Sequence, residues 1–275
     1  MVPAMSITEP SESGTVLGGP APETPAAGIA RHPYRAALFF LLVVVTVLVV
    51  VGGATRLFPV GTLVQLAAGD AILAAIGIAL VIRLGWLEQA GFTTGIRRRD
   101  LPLLALPCIV ALLPLGDGVR VTAPSTLLVF AGVTLTVGLA EETFFRGLIL
   151  PALLPAGTLR AAVISALFFA APHLLNLVGG LWDPAFTAAD MVAAFGVGIT
   201  FAAIRLRTGS IFPCIGIHAL VDFCSIVALG GIEVPVQSPS SLLASAFVGV
   251  ILAGYGICLL RHLLKDRFGV PAAPA

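Results

Sequence analysis

Apolar stretches of about 20 residues, the length that crosses a bilayer as a helix, follow one another along most of this chain. Eight can be delimited, roughly Ala36–Ala54, Thr62–Leu84, Leu101–Leu115, Ser125–Leu150, Arg160–Gly179, Ala188–Ile204, Ile211–Leu229 and Ser241–Leu260. Soluble domains carry charge on about a quarter of their residues. Here 11% are charged, 58% are hydrophobic and the mean hydropathy is +1.07. The chain is therefore expected to be an all-α polytopic membrane protein, a bundle of about eight transmembrane helices. The third stretch contains or adjoins Pro102, Pro107 and Pro114. Each lacks a backbone donor, so a kinked or tilted helix is expected there.

The basic residues test this count independently. With the N-terminus in the cytoplasm, the inner segments hold Arg31, Arg35, Arg83, Arg97, Arg98, Arg99, Arg160, Arg205, Arg207, Arg261, Lys265 and Arg267. The outer segments hold Arg56 and Arg120, and Arg146 lies within a span. Such a bias fits an even number of spans with both termini cytoplasmic, and an integral, multi-pass protein of the plasma membrane. No basic run suits nucleic acid; Arg97-Arg98-Arg99 reads as a topology signal. Residues 1–30, rich in Pro, Ala, Ser, Gly and Thr, are expected to be a disordered cytoplasmic tail. They lack the basic start and apolar core of a secretory signal. Residues 31–268 would form the helical bundle, with no loop long enough for a soluble domain. The four cysteines, Cys108, Cys214, Cys224 and Cys258, have no metal-type spacing and read as small buried hydrophobes.

Against this apolar background a few polar groups stand out. An ionised Glu, Arg or Asp at the centre of a membrane helix costs roughly 2.5–3.5 kcal/mol. Yet Glu141-Glu142-Thr143-Phe144-Phe145-Arg146 lies in the fourth stretch, Phe169 and His173 in the fifth, and His218 and Asp222 in the seventh. Residues four apart on a helix differ by about 40° around the axis. Glu142 and Arg146 therefore share a face and can pair as a clamp. Glu141 points about 140° away from Arg146 by the same geometry, free to face the bundle interior. A neighbouring carboxylate and a low dielectric suit it to work as a general base. Asn176, three residues past His173, is a candidate to orient that ring, and Asp222 to hold one tautomer of His218.

Taken singly, each pair reads equally as a packing contact. Jointly, one Glu and two His on three helices can converge in a bundle core. Two chemistries follow. The set can activate a water for attack on a peptide carbonyl, with a histidine steadying the oxyanion. Alternatively, Glu141, His173 and His218 make a zinc set with an open fourth position.

Glu-Glu-Thr-Phe-Phe-Arg-Gly (141–147) resembles the E-E-x-x-x-R motif of the CAAX-prenyl-protease and bacteriocin-processing family of intramembrane proteases. Phe169–His173 is similar to its F-x-x-x-H motif, and His218–Asp222 to its H-x-x-x-(N/D) motif. The three occur in the family's order, in separate spans, and the resemblance covers roughly residues 100–260. It implies a helical bundle enclosing a polar cavity and endopeptidase activity on a protein or peptide at the membrane. CAAX-type processing, peptide maturation and bacteriocin-related cleavage are all open. It also implies roles: Glu141 as the base activating water, His173 as its partner, and His218 with residue 222 around the oxyanion. Asn is common in the family where this chain has Asp222. An ionised Asp cannot donate to an oxyanion, so here it is either protonated or orients His218. The family has been described both as metalloproteases and as glutamate-dependent proteases, and the sequence leaves zinc open.

Other protease classes fit poorly. There is no H-E-x-x-H, no G-x-S-G, and Gly116-Asp117-Gly118 near a span end is not a paired-aspartate pattern. Two readings from other classes stay in view. Intramembrane Glu, His and Asp also make proton relays, as in a proton-coupled transporter. A non-catalytic immunity or binding protein of the same fold is the other. Asp70, near the middle of the second stretch, has no evident partner in sequence and is expected to hydrogen-bond to a neighbouring helix.

Overall fold

The computed structural model describes residues 25–57, 61–231 and 238–268. Among them the chain is helical throughout, with no strand. Eight helical segments are long and apolar enough to cross a membrane. In order they are Pro33–Ala54, Thr62–Leu84, Arg98–Asp117, Pro124–Ala156, Thr158–Val178, Pro184–Thr208, Phe212–Leu229 and Pro239–Leu263, referred to below as the first to eighth spans. They coincide with the eight apolar stretches because length and hydropathy alone define a span. Large apolar side chains such as Phe39, Leu128 and Val178 lie exposed on the bundle's outside, as a lipid-facing surface requires.

Most of the expected tail, residues 1–24, lies outside the described residues. Its last part departs from expectation: Pro25–Arg31 forms a short helix. Ile29 accounts for it, packing partly buried against the core where an isolated polar tail would have nothing to bury. The third span is interrupted as its prolines suggest. A 3-10 segment over Arg98–Leu104 contains Pro102, an α-helix runs over Ala105–Leu112, and a second 3-10 segment over Leu113–Asp117 follows with Pro114 near its start. The cysteines differ from the expectation in two cases, Cys108 being only half-buried. Cys214 and Cys224 are buried, but Cys258 is exposed on the eighth span.

The fourth span runs between the second and the seventh, the fifth lies along the sixth, and the sixth packs over its length against the eighth. Small residues permit these approaches, as expected where lipid supplies no hydrophobic drive between helices. A Cβ on Gly138 would stand 2.8 Å from the Ile215 carbonyl oxygen, and one on Gly196 would stand 2.1 Å from that of Gly249. Gly198 meets Ala166 of the fifth span in the same way, at 2.9 Å. Glycine thus draws the fourth, fifth, sixth and seventh spans together around the polar residues.

Candidate active site

The fourth span changes its winding where its charges lie. An α-helix over Pro124–Glu142 passes into a π-helix over Thr143–Ile149 and returns to α at Leu150. π segments are rare and recur at functional sites. Side chains support the wider turn: Thr143 Oγ1 donates to the Leu139 carbonyl at 2.6 Å, and Ser165 Oγ of the fifth span donates to the Phe145 carbonyl at 3.0 Å.

The expected clamp is present and wholly enclosed. Arg146 Nη1 donates to Glu142 Oε1 at 3.0 Å, and both side chains have 0% exposure. Arg146 Nη2 also reaches the Gly198 carbonyl at 3.3 Å. The guanidinium carbon stands 4.3 Å from the ring centroid of Phe169 and 5.3 Å from that of Phe201, so two aromatic faces replace water around the cation.

Glu142 does more than pair with Arg146. The same Oε1 accepts from His218 Nδ1 at 2.8 Å. A carboxylate oxygen that already accepts from a guanidinium has no hydrogen to give, so the ring proton sits on Nδ1. His218 Nε2 is then turned outward, 3.7 Å from Glu141 Oε2 and 3.6 Å from Asp222 Oδ2. This corrects the expectation for Asp222: Glu142, on the opposite ring nitrogen, fixes the His218 tautomer. Glu141 is 31% exposed at its side chain, against 0% for Glu142. Two adjacent glutamates thus occupy different surroundings, one open and one sealed.

His173 sits at a break in the fifth span. The helix Thr158–Ala170 gives way to a 3-10 turn over Ala171–His173 containing Pro172, then resumes over Leu174–Val178. Its Nδ1 meets Asp190 Oδ2 of the sixth span at 2.5 Å. Asn176 does not take that place. Its backbone carbonyl accepts from Leu181 and Trp182, capping the turn after the fifth span. Phe169 stands between the two imidazoles, with ring centroids 6.1 Å from His173 and 5.8 Å from His218, and Phe145 packs edge-on against it at 5.1 Å.

Glu141, His173, Asp190, His218 and Asp222 share one open cleft of about 250 Å³ with Val137, Phe169, Ala193, Ala194, Val197, Phe201 and Val221. The walls are of mixed polarity, with carboxyl and imidazole groups set among apolar side chains, so the polar cavity the resemblance implies is not shown as such. A larger concavity of about 410 Å³, lined by Asp183, Phe186, Ser238, Pro239, Leu242 and Leu243, holds neither imidazole nor glutamate. The chemistry belongs to the smaller one.

Asp70 is buried on the second span, and Glu141, Asp222 and His218 are the charges it feels. The hydrogen bond expected for it is not found: its carboxyl has no such partner among the described residues. As for zinc, no three His, Cys, Asp or Glu side chains among the described residues are gathered as a metal ion would need, Glu141, His173 and His218 included. Both Nδ1 atoms carry carboxylate partners, the usual outer contact of a ligating histidine.

Residues 123–224 match the family model for the Rce1-like domain, type II CAAX prenyl endopeptidase. This segment is similar to an Rce1-like domain. It spans the fourth to seventh helices and contains every motif residue from Glu141 to Asp222, with Asp190 and Phe201. The first three spans, with Asp70, and the eighth lie outside it. No curated protein matches the chain. The match to the Rce1-like family model supports a CAAX-type intramembrane endopeptidase acting on protein substrates, and the eight apolar helices suggest a multi-pass membrane protein.

Sequence reasoning missed Asp190 and Phe201. Asp190 follows the last F-x-x-x-H residue by 17 positions and crosses to another span, so no helical spacing marks it. Its one signal was being an acidic residue inside the sixth apolar stretch.

Proposed function

We propose that this protein is an intramembrane endopeptidase in which Glu141 activates the water that hydrolyses a peptide bond. The carrying observation is the contrast between the two glutamates. Glu141 is partly open to the cleft and faces His218 Nε2 at 3.7 Å, while the sealed Glu142–Arg146 pair backs that same ring. A gap of that size between acceptor atoms takes one water within hydrogen-bond reach of both groups in a slightly opened site.

Glu141 takes a proton from this water as its oxygen attacks the scissile carbonyl carbon. The carbonyl π-bond opens, and charge gathers on the carbonyl oxygen. A cleft imidazole whose Nδ1 proton is held by a carboxylate stabilises that oxygen once it has taken up a second proton on Nε2 and donates it there, as preorganised donors do for developing oxyanions. Collapse expels the amine, which receives the proton Glu141 has held. Each step moves a proton between named side chains and the substrate, and none is routed through a metal. The substrate is a protein or peptide presented at the membrane, with CAAX-type C-termini the class the family description favours. The distribution of basic residues supports placing both termini in the cytoplasm and the protein in the plasma membrane.

The test is cleavage by the purified full-length protein in detergent, using a farnesylated CaaX peptide, its unprenylated twin and a mixed peptide library. Glu141→Gln is expected to lower kcat about 10²–10⁴-fold, the range for general-base loss, without changing the unfolding transition. Unchanged cleavage by that variant would remove Glu141 from the chemistry and the proposal with it.

A further inference from the structure

His173 closes the 3-10 turn containing Pro172 that interrupts the fifth span. Its contact with Phe169 is a tilted one at 6.1 Å, too loose to fix a ring flip. What fixes the imidazole comes from outside the three motifs: Asp190 Oδ2, 2.5 Å from Nδ1, reached across to the sixth span. Both side chains are partly exposed, at 29% and 23%, and both line the cleft.

Other features carry less. The apolar concavity beside the eighth span has nothing to identify an occupant. Arg205, which donates to the Gln89 and Ala90 carbonyls, is a latch for the loop after the second span. Asp70 has charged neighbours but no hydrogen-bond partner among the described residues.

We infer that Asp190 is a positioning residue: it receives the Nδ1 proton of His173 and so presents Nε2 to the cleft. A free imidazole side chain prefers its proton on Nε2, so this arrangement reverses the intrinsic preference and requires a partner on Nδ1. Glu142 does the same for His218 from behind the ring, on the fourth span. The cleft is therefore flanked by two histidines held in one tautomer by carboxylates of two different helices. The sixth span, which carries none of the three motifs, supplies one of these carboxylates together with the Gly198 carbonyl and the Phe201 ring that enclose Arg146. A carboxylate in this position orients the ring and favours one proton location, and replacing it by the isosteric amide selects the wrong tautomer while leaving geometry intact.

The role in catalysis rests on the endopeptidase reading, so the experiment has one arm independent of cleavage. The chain has four histidines, His32, His173, His218 and His262, few enough to assign one by one in a ¹⁵N-histidine spectrum of the full-length protein in detergent. The expected spectrum has the His173 proton on Nδ1 in the wild type and on Nε2 in Asp190→Asn. A wild-type proton on Nε2, or no change in the variant, overturns the inference whether or not any peptide is cut. In the cleavage arm, with the farnesylated peptide, Asp190→Asn should lower kcat by about 10²-fold or more at an unchanged KM. Asp190→Glu, which keeps the charge, should recover most of that loss. A fall of less than tenfold in Asp190→Asn means the carboxylate merely ties two spans together, and defeats the positioning role. The expected tautomer change in a protein that cleaves nothing would defeat the endopeptidase reading and uphold the assignment of Asp190 to His173.

Discussion

Replacing Glu142 by Gln and Arg146 by Met, singly and together, tests the sealed pair most directly. Both side chains have 0% exposure, so either single change leaves a charge, or its full hydrogen-bonding demand, without its partner. Breaking a buried pair from one side costs about 3–5 kcal/mol. The two singles should not be equal. In Glu142→Gln the guanidinium keeps the Gly198 carbonyl and the faces of Phe169 and Phe201, which places it near the lower end, about 3 kcal/mol. In Arg146→Met the carboxylate keeps only His218 Nδ1, which places it near the upper end, about 5 kcal/mol. The double variant has no buried charge pair to satisfy and should cost about 2 kcal/mol, the range for imperfect volume swaps in a core. The shortfall from additivity is then about 6 kcal/mol before correction. An unfolded chain still inside a micelle finds other partners for its polar groups, and halving the figure for that leaves about 3 kcal/mol. Equilibrium unfolding in mixed detergent micelles, followed by circular dichroism, measures all three variants. Additivity within about 0.5 kcal/mol, the behaviour of independent sites, would refute the claim that these residues are one electrostatic unit.

Three further outcomes are expected. Gly138→Val should lower stability by about 1–3 kcal/mol and cleavage much further, because its side chain meets the Ile215 carbonyl and separates Glu142 from His218; normal activity in a thermally destabilised variant would detach the site from that crossing. Exhaustive dialysis against a chelator should leave cleavage unchanged and the protein should carry well under one zinc per chain, since Glu141, His173 and His218 are not gathered as a metal would need; stoichiometric zinc with chelator-sensitive cleavage would reverse this. Single cysteines placed near residues 31 and 262 in a cysteine-free background should both react with a membrane-impermeant thiol reagent only from the cytoplasmic side, and labelling on opposite sides would remove one span from the count.

The spans were legible because a membrane leaves a helix few alternatives. Once backbone groups must be satisfied internally, a long apolar run has only a helix to form, and Thr62–Leu84 was delimited to the residue. The Glu142–Arg146 pair was legible for a similar reason, since a four-residue spacing suffices and the partners lie on one helix. What escaped were contacts between helices. Asp190 and His173 meet across two spans, His218 reaches Glu142 from a third, and nothing in local spacing encodes either. The π-helix over Thr143–Ile149 escaped for a different reason. It depends on Ser165 supporting a carbonyl from the neighbouring span, and an isolated fourth span has no cause to widen its turn.

These omissions share a physical pattern. The motif residues read from sequence are those that face the cleft or pair within one helix. The residues that were missed are those that hold them in orientation: Asp190 on one imidazole, the Gly198 carbonyl and the Phe201 ring around Arg146. A reacting group must be held to within a fraction of an ångström of its working geometry, yet the group that holds it needs only to arrive from some direction with the right chemistry. Reactive positions are therefore constrained in both type and spacing, and spacing can be read along a chain. Supporting positions are constrained in type alone, because the bundle and not the helix sets their distance. A lone acidic residue in an apolar span, with no partner at helical spacing, is the trace such a position leaves. Asp190 and Asp70 both leave it, and of the two only Asp190 ends on a ring nitrogen.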